Sequence, residues 1–290
     1  MRVVQFTRHN ERRVGVVRDG DVFDVTDRFA TALELLMSGG DPGGGQLAGA
    51  LDALNHPNSM GARLRIPINP PEVWGAGVTY KKSAEFRDED TSTSKGIYDM
   101  VYSAPRPELF YKGRAVHCVG PNEAGGIRAD SSFTAPEPEV ALVLSAGGKI
   151  LGFTLCDDVS AWDIERENPL YLPQSKIFLG CVVLGPTIVT PEELGDTSKL
   201  ELSCTITRDG KNLFEDSVGL DRIKRPFDEL VRYLRLNNPI QDGTVLTTGT
   251  GIIVTHEQAL REGDEVVLKC EPIGSLRHTM RKLSEDWQPA

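Results

Sequence analysis

Pro136-Glu137-Pro138-Glu139-Val140-Ala141-Leu142-Val143-Leu144-Ser145, continued after Gly147-Gly148 by Ile150-Leu151-Gly152-Phe153-Thr154-Leu155-Cys156-Asp157-Asp158-Val159-Ser160, is the stretch that organises this chain. Residues 139–145 are dense in apolar and β-branched side chains and are bounded by Pro138 and the paired glycines, which reads as a buried strand. Glu137 and Glu139 lie two apart on extended backbone, so they share a face at a spacing of roughly 7 Å. Pro138 donates no ladder hydrogen bond and confines this end to an edge or a strand start. After one hairpin, Phe153 and Leu155 share a face with Asp157, and Thr154 and Cys156 share the other with Asp158. Ser160 and Asp163 have capping-box spacing for a short helical turn. Three carboxylates at one point make a hard, all-oxygen set that suits Mg²⁺, Mn²⁺ or Ca²⁺ better than zinc. Spacing alone also allows a plainer reading, in which the glutamates guard an exposed strand edge and Asp158 is a cap.

Working outward, 290 residues suffice for one large domain, or a large one with a small one. The formal charge of −10 is spread along the chain and argues against nucleic acid or an anionic membrane as partner, since both need clustered Lys and Arg. The five cysteines, at 118, 156, 181, 204 and 270, form no C-x-x-C pair and read as reduced core thiols. No apolar leader follows Met1 and no stretch approaches the length of a membrane span, so the expectation is a soluble, cytoplasmic protein.

The first 66 residues read as a small α+β domain: short strands around the Asp19-Gly20 turn and a helix over 31–37 stopped by Gly39. The glycine-rich run 39–49 lacks the Gly-Lys-Ser/Thr ending of a phosphate loop and reads as a surface connection. Pro67, Pro70 and Pro71 mark the start of a second domain, 67–290. In it, residues 73–78 read as a strand approaching a site, their lone G-x-G being too short for a dinucleotide fingerprint. The charged stretch 81–106 reads as a solvated helix and loop, or as a lid over substrate. Leu200, Leu202, Cys204 and Ile206 alternate into an Asp209-Gly210 hairpin, and Phe227, Leu230, Val231 and Leu234 mark one face of a helix over 226–236. Thr247-Thr248-Gly249-Thr250-Gly251 is either a tight turn or a backbone cradle for a substrate carboxylate. The histidines are scattered and read as structural.

From residues 75 to 253 the string Glu-x-Glu, Asp-Val-Ser-Ala-x-Asp and Leu-Gly-Pro resembles the fumarylacetoacetate hydrolase family. Residues 163–176, Asp-Ile-Glu-Arg-Glu-Asn-Pro-Leu-Tyr-Leu-Pro-Gln-Ser-Lys, are similar to its branch of 2-keto-3-deoxy sugar acid dehydratases. The resemblance implies an α+β, mainly β fold, a β-roll catalytic domain with a small N-terminal domain, commonly dimeric. It implies Glu137, Glu139 and Asp158 as metal ligands, Lys176 and Glu108 as the acid–base pair, and Tyr80, Lys112, Glu165 and Thr250 as substrate contacts. Two departures stand out. Asp157 replaces the usual Asn before the metal aspartate, and Trp162 replaces the usual Arg of Ser-x-Arg-Asp.

The reaction so implied is dehydration of a 2-keto-3-deoxy pentonate to 2,5-dioxopentanoate: the cation polarises the 2-keto group, C3 loses a proton and C4 loses its hydroxyl. Either member of the Glu108–Lys176 pair can be the base. The rivals are a hydrolase or decarboxylase of 2,4-diketo acids on the same fold, and a non-enzymatic sugar-acid binding protein. Hydrolases of the family resemble Gly-x-Asn-Tyr-x-x-His-Ala, whereas residues 77–84 here put Ser83 at the histidine and Phe86 where short-form hydrolases keep a glutamate. A serine hydroxyl is too weak a base near pH 7 to activate water, leaving His117 or His256 as the outside sources of one.

Overall fold

The hairpin 138–158 forms as the sequence requires, and the rest of the chain extends its sheet in both directions. The computed structural model describes residues 1–56, 61–90 and 96–285. In chain order the first part holds β1 (Arg2–Arg8), β2 (Glu11–Arg18), β3 (Asp21–Asp24), α1 (Ala32–Ser38), β4 (Gln46–Ala50), α2 (Leu51–Leu54) and β5 (Ala62–Leu64). Next come β6 (Val73–Gly77), α3 (Lys81–Asp90), α4 (Ile97–Ser103), β7 (Glu108–Gly113), β8 (Cys118–Val119), β9 (Ala124–Ile127) and β10 (Thr134–Ala135). The central hairpin is β11 (Pro138–Leu144) and β12 (Ile150–Asp158), followed by β13 (Ser160–Ala161), α5 (Trp162–Glu167), α6 (Leu172–Lys176) and β14 (Val182–Val189). The chain closes with α7 (Pro191–Leu194), β15 (Glu201–Arg208), β16 (Lys211–Gly219), α8 (Phe227–Arg235), β17 (Thr244–Thr247), β18 (Glu265–Cys270) and β19 (Gly274–Lys282).

The main sheet runs β4-β3-β2-β1-β14-β12-β11-β17-β6-β7, and a second sheet runs β16-β15-β18-β19-β9. Every residue of β11 is buried, as its unbroken apolar run demands of a strand covered on both faces. It is not an edge strand: β12 pairs along its whole length and β17 along residues 141–144. Only residues 138–140 lack a β17 partner, so the proline sits at a strand start and the glutamates at the open end of the ladder. The N-terminal strands join the same sheet where Arg2 and Val3 of β1 meet Val189 and Ile188 of β14.

Several local expectations hold. The Asp19-Gly20 turn joins β2 to β3, and Thr31 caps α1, which ends at Gly39 in the left-handed region with φ of 65°. β15 buries alternate residues, and α8 buries Leu230, Val231 and Leu234. Four of the five cysteines are buried and Cys118 is half-buried, all as free thiols. The charged stretch 81–106 folds as α3 and α4, with residues 91–95 outside the described residues. One expectation fails. Ser160 and Asp163 form no capping box, because Asp163 is taken by the hydroxyls of Ser131 and Ser132 while Ser160 turns inward to receive Lys176. Among the described residues no helix is long and apolar enough to cross a membrane.

Candidate active site

The open end of β11, the end of β12 and the turn after β17 converge on one point. Glu139 is carried by β11, Glu137 directly precedes it, and Asp158 ends β12 with its N–H bonded to the Glu137 carbonyl. One carboxylate oxygen from each of the three lies within 4.8 Å of the others, and all three side chains are buried.

Around this cluster stand cations that the fold brings from far along the chain. Lys176, from α6, donates to Glu137 Oε2 at 2.9 Å and to Ser160 Oγ at 2.6 Å, with Asp158 at 3.7 Å and Glu165 at 3.8 Å. Lys112, from β7, meets Asp158 Oδ1 at 2.5 Å and donates to the Val159 carbonyl, wholly enclosed. Arg87, from α3, donates to Glu137 Oε1 at 2.6 Å, approaches Glu165 at 4.0 Å, and lies 5.0 Å from the centre of the Trp162 ring. Sequence reading missed Arg87: it left the stretch that forms α3 as a solvated helix and loop or a lid, and named no residue of it for the site. The clue was Trp162, which costs the site its usual arginine, so that charge had to come from elsewhere.

Five carboxylates, Glu108, Glu137, Glu139, Asp158 and Glu165, thus face three cations, Arg87, Lys112 and Lys176, leaving two negative charges uncompensated. The imbalance shows in the ionisation. Burial, with Asp158 and Glu137 close by, pushes the Glu139 carboxyl well above its ordinary range. Glu137 is held low, because Arg87 and Lys176 outweigh its burial. Burial and the neighbouring Glu165 raise Glu108, while Lys176 is held protonated against its burial by Asp158, Glu137 and Glu165. Asp158 Oδ2 is buried without a hydrogen-bond partner. An orphaned carboxylate oxygen, an all-oxygen set and two spare negative charges together fit a divalent hard cation.

Most of these groups, though not Asp158, line a small cavity of about 10 Å³, room for about one water molecule. Glu108, Lys176, Glu165, Thr250, Glu137 and Glu139 are on its wall, with Ser83 and Arg87. Lys112 and Tyr80 are not: Lys112 stands behind Asp158, and Tyr80 is buried with its ring over Gly251. Two glycines permit this geometry. A Cβ on Gly77 would lie 2.2 Å from Glu108 Oε2, so only glycine lets that carboxylate lie over β6. Gly249, at φ of +89°, donates its N–H to Glu139 Oε2 at 2.6 Å, so the Thr-Thr-Gly-Thr-Gly cradle holds a carboxylate of the protein itself.

No histidine is on this wall. His117 bonds the Arg114 amide and His256 packs on Phe133. His278 has a different place: from β19 it meets Asp157 Oδ2 at 2.9 Å, and Asp157 Oδ1 accepts from the Glu137 amide at 2.8 Å. Asp157 therefore turns away from the cluster. A larger hollow of about 830 Å³ lies by residues 39–42 and 149–151, but its Arg18 and Asp41 pair with each other and it holds none of the convergent groups described above.

The family described as "Fumarylacetoacetate (FAA) hydrolase C-terminal" matches residues 72–281. The chain is 46% identical over 223 residues to 2-dehydro-3-deoxy-D-arabinonate dehydratase of Saccharolobus solfataricus, covering 76% of this chain and 75% of that one. It is 35% identical over 285 residues to the Haloferax volcanii protein named "Probable 2-keto-3-deoxyxylonate dehydratase", covering 95% and 98%. A solved structure of 2-keto-3-deoxy-D-arabinonate dehydratase complexed with magnesium and 2,5-dioxopentanoate superposes with a TM-score of 0.88 at 36% identity, over 98% of this chain and all of that one.

Proposed function

Because the chain belongs to the fumarylacetoacetate hydrolase family, we propose that it is a divalent-metal-dependent dehydratase that converts a 2-keto-3-deoxy pentonate to 2,5-dioxopentanoate. Glu137, Glu139 and Asp158 would hold Mg²⁺, with Mn²⁺ or Ca²⁺ as substitutes. When bound, such a cation supplies Lewis-acid polarisation of the 2-keto group. The remaining work falls to side chains. Glu108, whose carboxyl is raised above its ordinary value by burial and by Glu165, accepts the C3 proton; such a group typically contributes a factor of about 10² to 10⁴. Lys176, held as the ammonium by its carboxylate neighbours, stands beside the negative charge that develops as C3 loses its proton, and gives its own proton to the C4 hydroxyl as that charge expels it. Losing water between C3 and C4 and tautomerising through C5 gives the dioxo acid. Glu165 and Thr250 contact the substrate from the cavity wall, while Tyr80 and Lys112 act from behind it, Lys112 by holding Asp158.

The observation that carries dehydration over hydrolysis is Ser83. It lies on the cavity wall where a water-activating histidine would stand, and its hydroxyl receives Arg87 at 3.3 Å. Dehydration releases water and needs no such base. The same reading takes the chain as a cytoplasmic homodimer, divided into domains 1–66 and 67–290. The test is a screen of purified protein with Mg²⁺ against 2-keto-3-deoxy pentonates, the corresponding hexonates and acylpyruvates, with detection of the carbonyl product. Efficient cleavage of an acylpyruvate with no dehydration of any deoxy sugar acid would sink the proposal.

A further inference from the structure

The cavity as it stands is too small for a five-carbon acid, at about 10 Å³, and Arg87 is one of the groups on its wall. That guanidinium comes from α3, whereas Lys176 comes from α6 and Lys112, from β7, is held on Asp158. It is bonded to Glu137 at 2.6 Å and backed by the Trp162 ring at 5.0 Å, and α3 is fastened at its far end by Asp90, which accepts from Trp162 Nε1 at 2.6 Å. A substrate of the proposed class brings a carboxylate into a site already overcharged with carboxylates, so it needs a cation free to turn to it. The planar fork of arginine suits such a group.

We propose that Arg87 is a substrate-positioning and specificity-determining residue: it exchanges its contact with Glu137 for the carboxylate of the incoming 2-keto acid as α3 moves, and so selects acids over neutral ketones. The proposal rests on the dehydratase reading for its substrate class. The movement has a built-in reporter, because Arg87 stacks on Trp162 and the only other tryptophans in the sequence are Trp74 and Trp287.

The test uses the full chain with Mg²⁺, Trp74 and Trp287 replaced by Phe, titrated with 2-oxobutanoate, which has no C4 hydroxyl to lose, and with its uncharged amide. The expected result is a change in Trp162 emission on binding the acid, and a preference for acid over amide that falls roughly 10- to 100-fold in R87M, the scale of losing a charge-assisted bond. R87K should keep part of the preference, having the charge without the fork, and it decides the question if R87M fails to fold. An unchanged acid-to-amide ratio in R87M, or an equal loss of both ligands, overturns the proposal, since a merely structural arginine would not discriminate between them. The outcome stands apart from the dehydratase reading, which the turnover screen alone decides.

Discussion

Asp158 gives one buried oxygen to Lys112, while the other has no hydrogen-bond partner and lies 3.7 Å from Lys176 Nζ, in the cluster with Glu137 and Glu139. A divalent cation there would relieve a cost that the fold carries without it, the burial and the crowding of like charges that together raise Glu139. Glu139→Gln keeps the shape and removes one ligand charge, so calorimetry should show Mg²⁺ affinity collapsing while the thermal transition in metal-free buffer is kept or rises. Chelating Mg²⁺ from the wild type should lower its melting temperature; at a hundredfold excess over Kd the bound ion contributes about 2.7 kcal/mol. The acid limb of kcat/KM reports the base. Burial and the charge of Glu165 raise Glu108, so its ionised form, and the activity with it, is gained only as pH climbs through that raised value. Glu165→Gln removes the repulsion and should move the limb to lower pH; an upward shift would show that another group titrates there.

At the scale of elements, β6 and β7 matter because their register lays Glu108 against Gly77. Gly77→Ala puts a methyl 2.2 Å from the carboxylate oxygen, and the side chain must swing aside. Displacing a proton-transfer group by about 1 Å costs on the order of a hundredfold in rate, so kcat should drop by that scale while Mg²⁺ binding holds. This contact illustrates what could be read in advance. The strand carrying Glu139 was legible because its apolar run has one interpretation, and the hairpins because Asp19-Gly20 and Asp209-Gly210 force them. Glu108 on its own looks like any strand-start acid; the family resemblance alone gave it a role, and the pairing of β6 with β7 is what puts it beside Gly77. Helix α3 hid its purpose more fully. Its exposed residues are charged, as on any solvated helix, and nothing local shows that Arg87 alone is drawn inward by Glu137, a residue 50 positions away. His278 was read as one of several scattered histidines, since sequence carries no sign of which strand of the second sheet will reach Asp157.

For the whole molecule, that last contact ties the two sheets together directly behind the carboxylates. Asp157 and His278 are both fully buried, and Asp157 also holds the Glu137 amide. His278→Ala leaves a buried carboxylate oxygen unpaired and should cost about 2 kcal/mol, lowering the melting temperature by roughly 5 °C, with Mg²⁺ affinity falling as Glu137 loosens. Loss of stability with intact Mg²⁺ affinity would make the pair a packing contact alone. The cavity of about 10 Å³ has a consequence of its own, in the traffic of the molecule rather than its chemistry. On the proposal that α3 moves as the substrate enters, release of the dioxo acid requires the same movement in reverse, so each turnover includes one excursion of that helix through solvent. Excursions of this kind feel friction. The turnover number should therefore fall as glycerol or sucrose thickens the medium, in proportion to relative viscosity if the helix sets the pace; a turnover number indifferent to viscosity would place the slow step back in bond breaking.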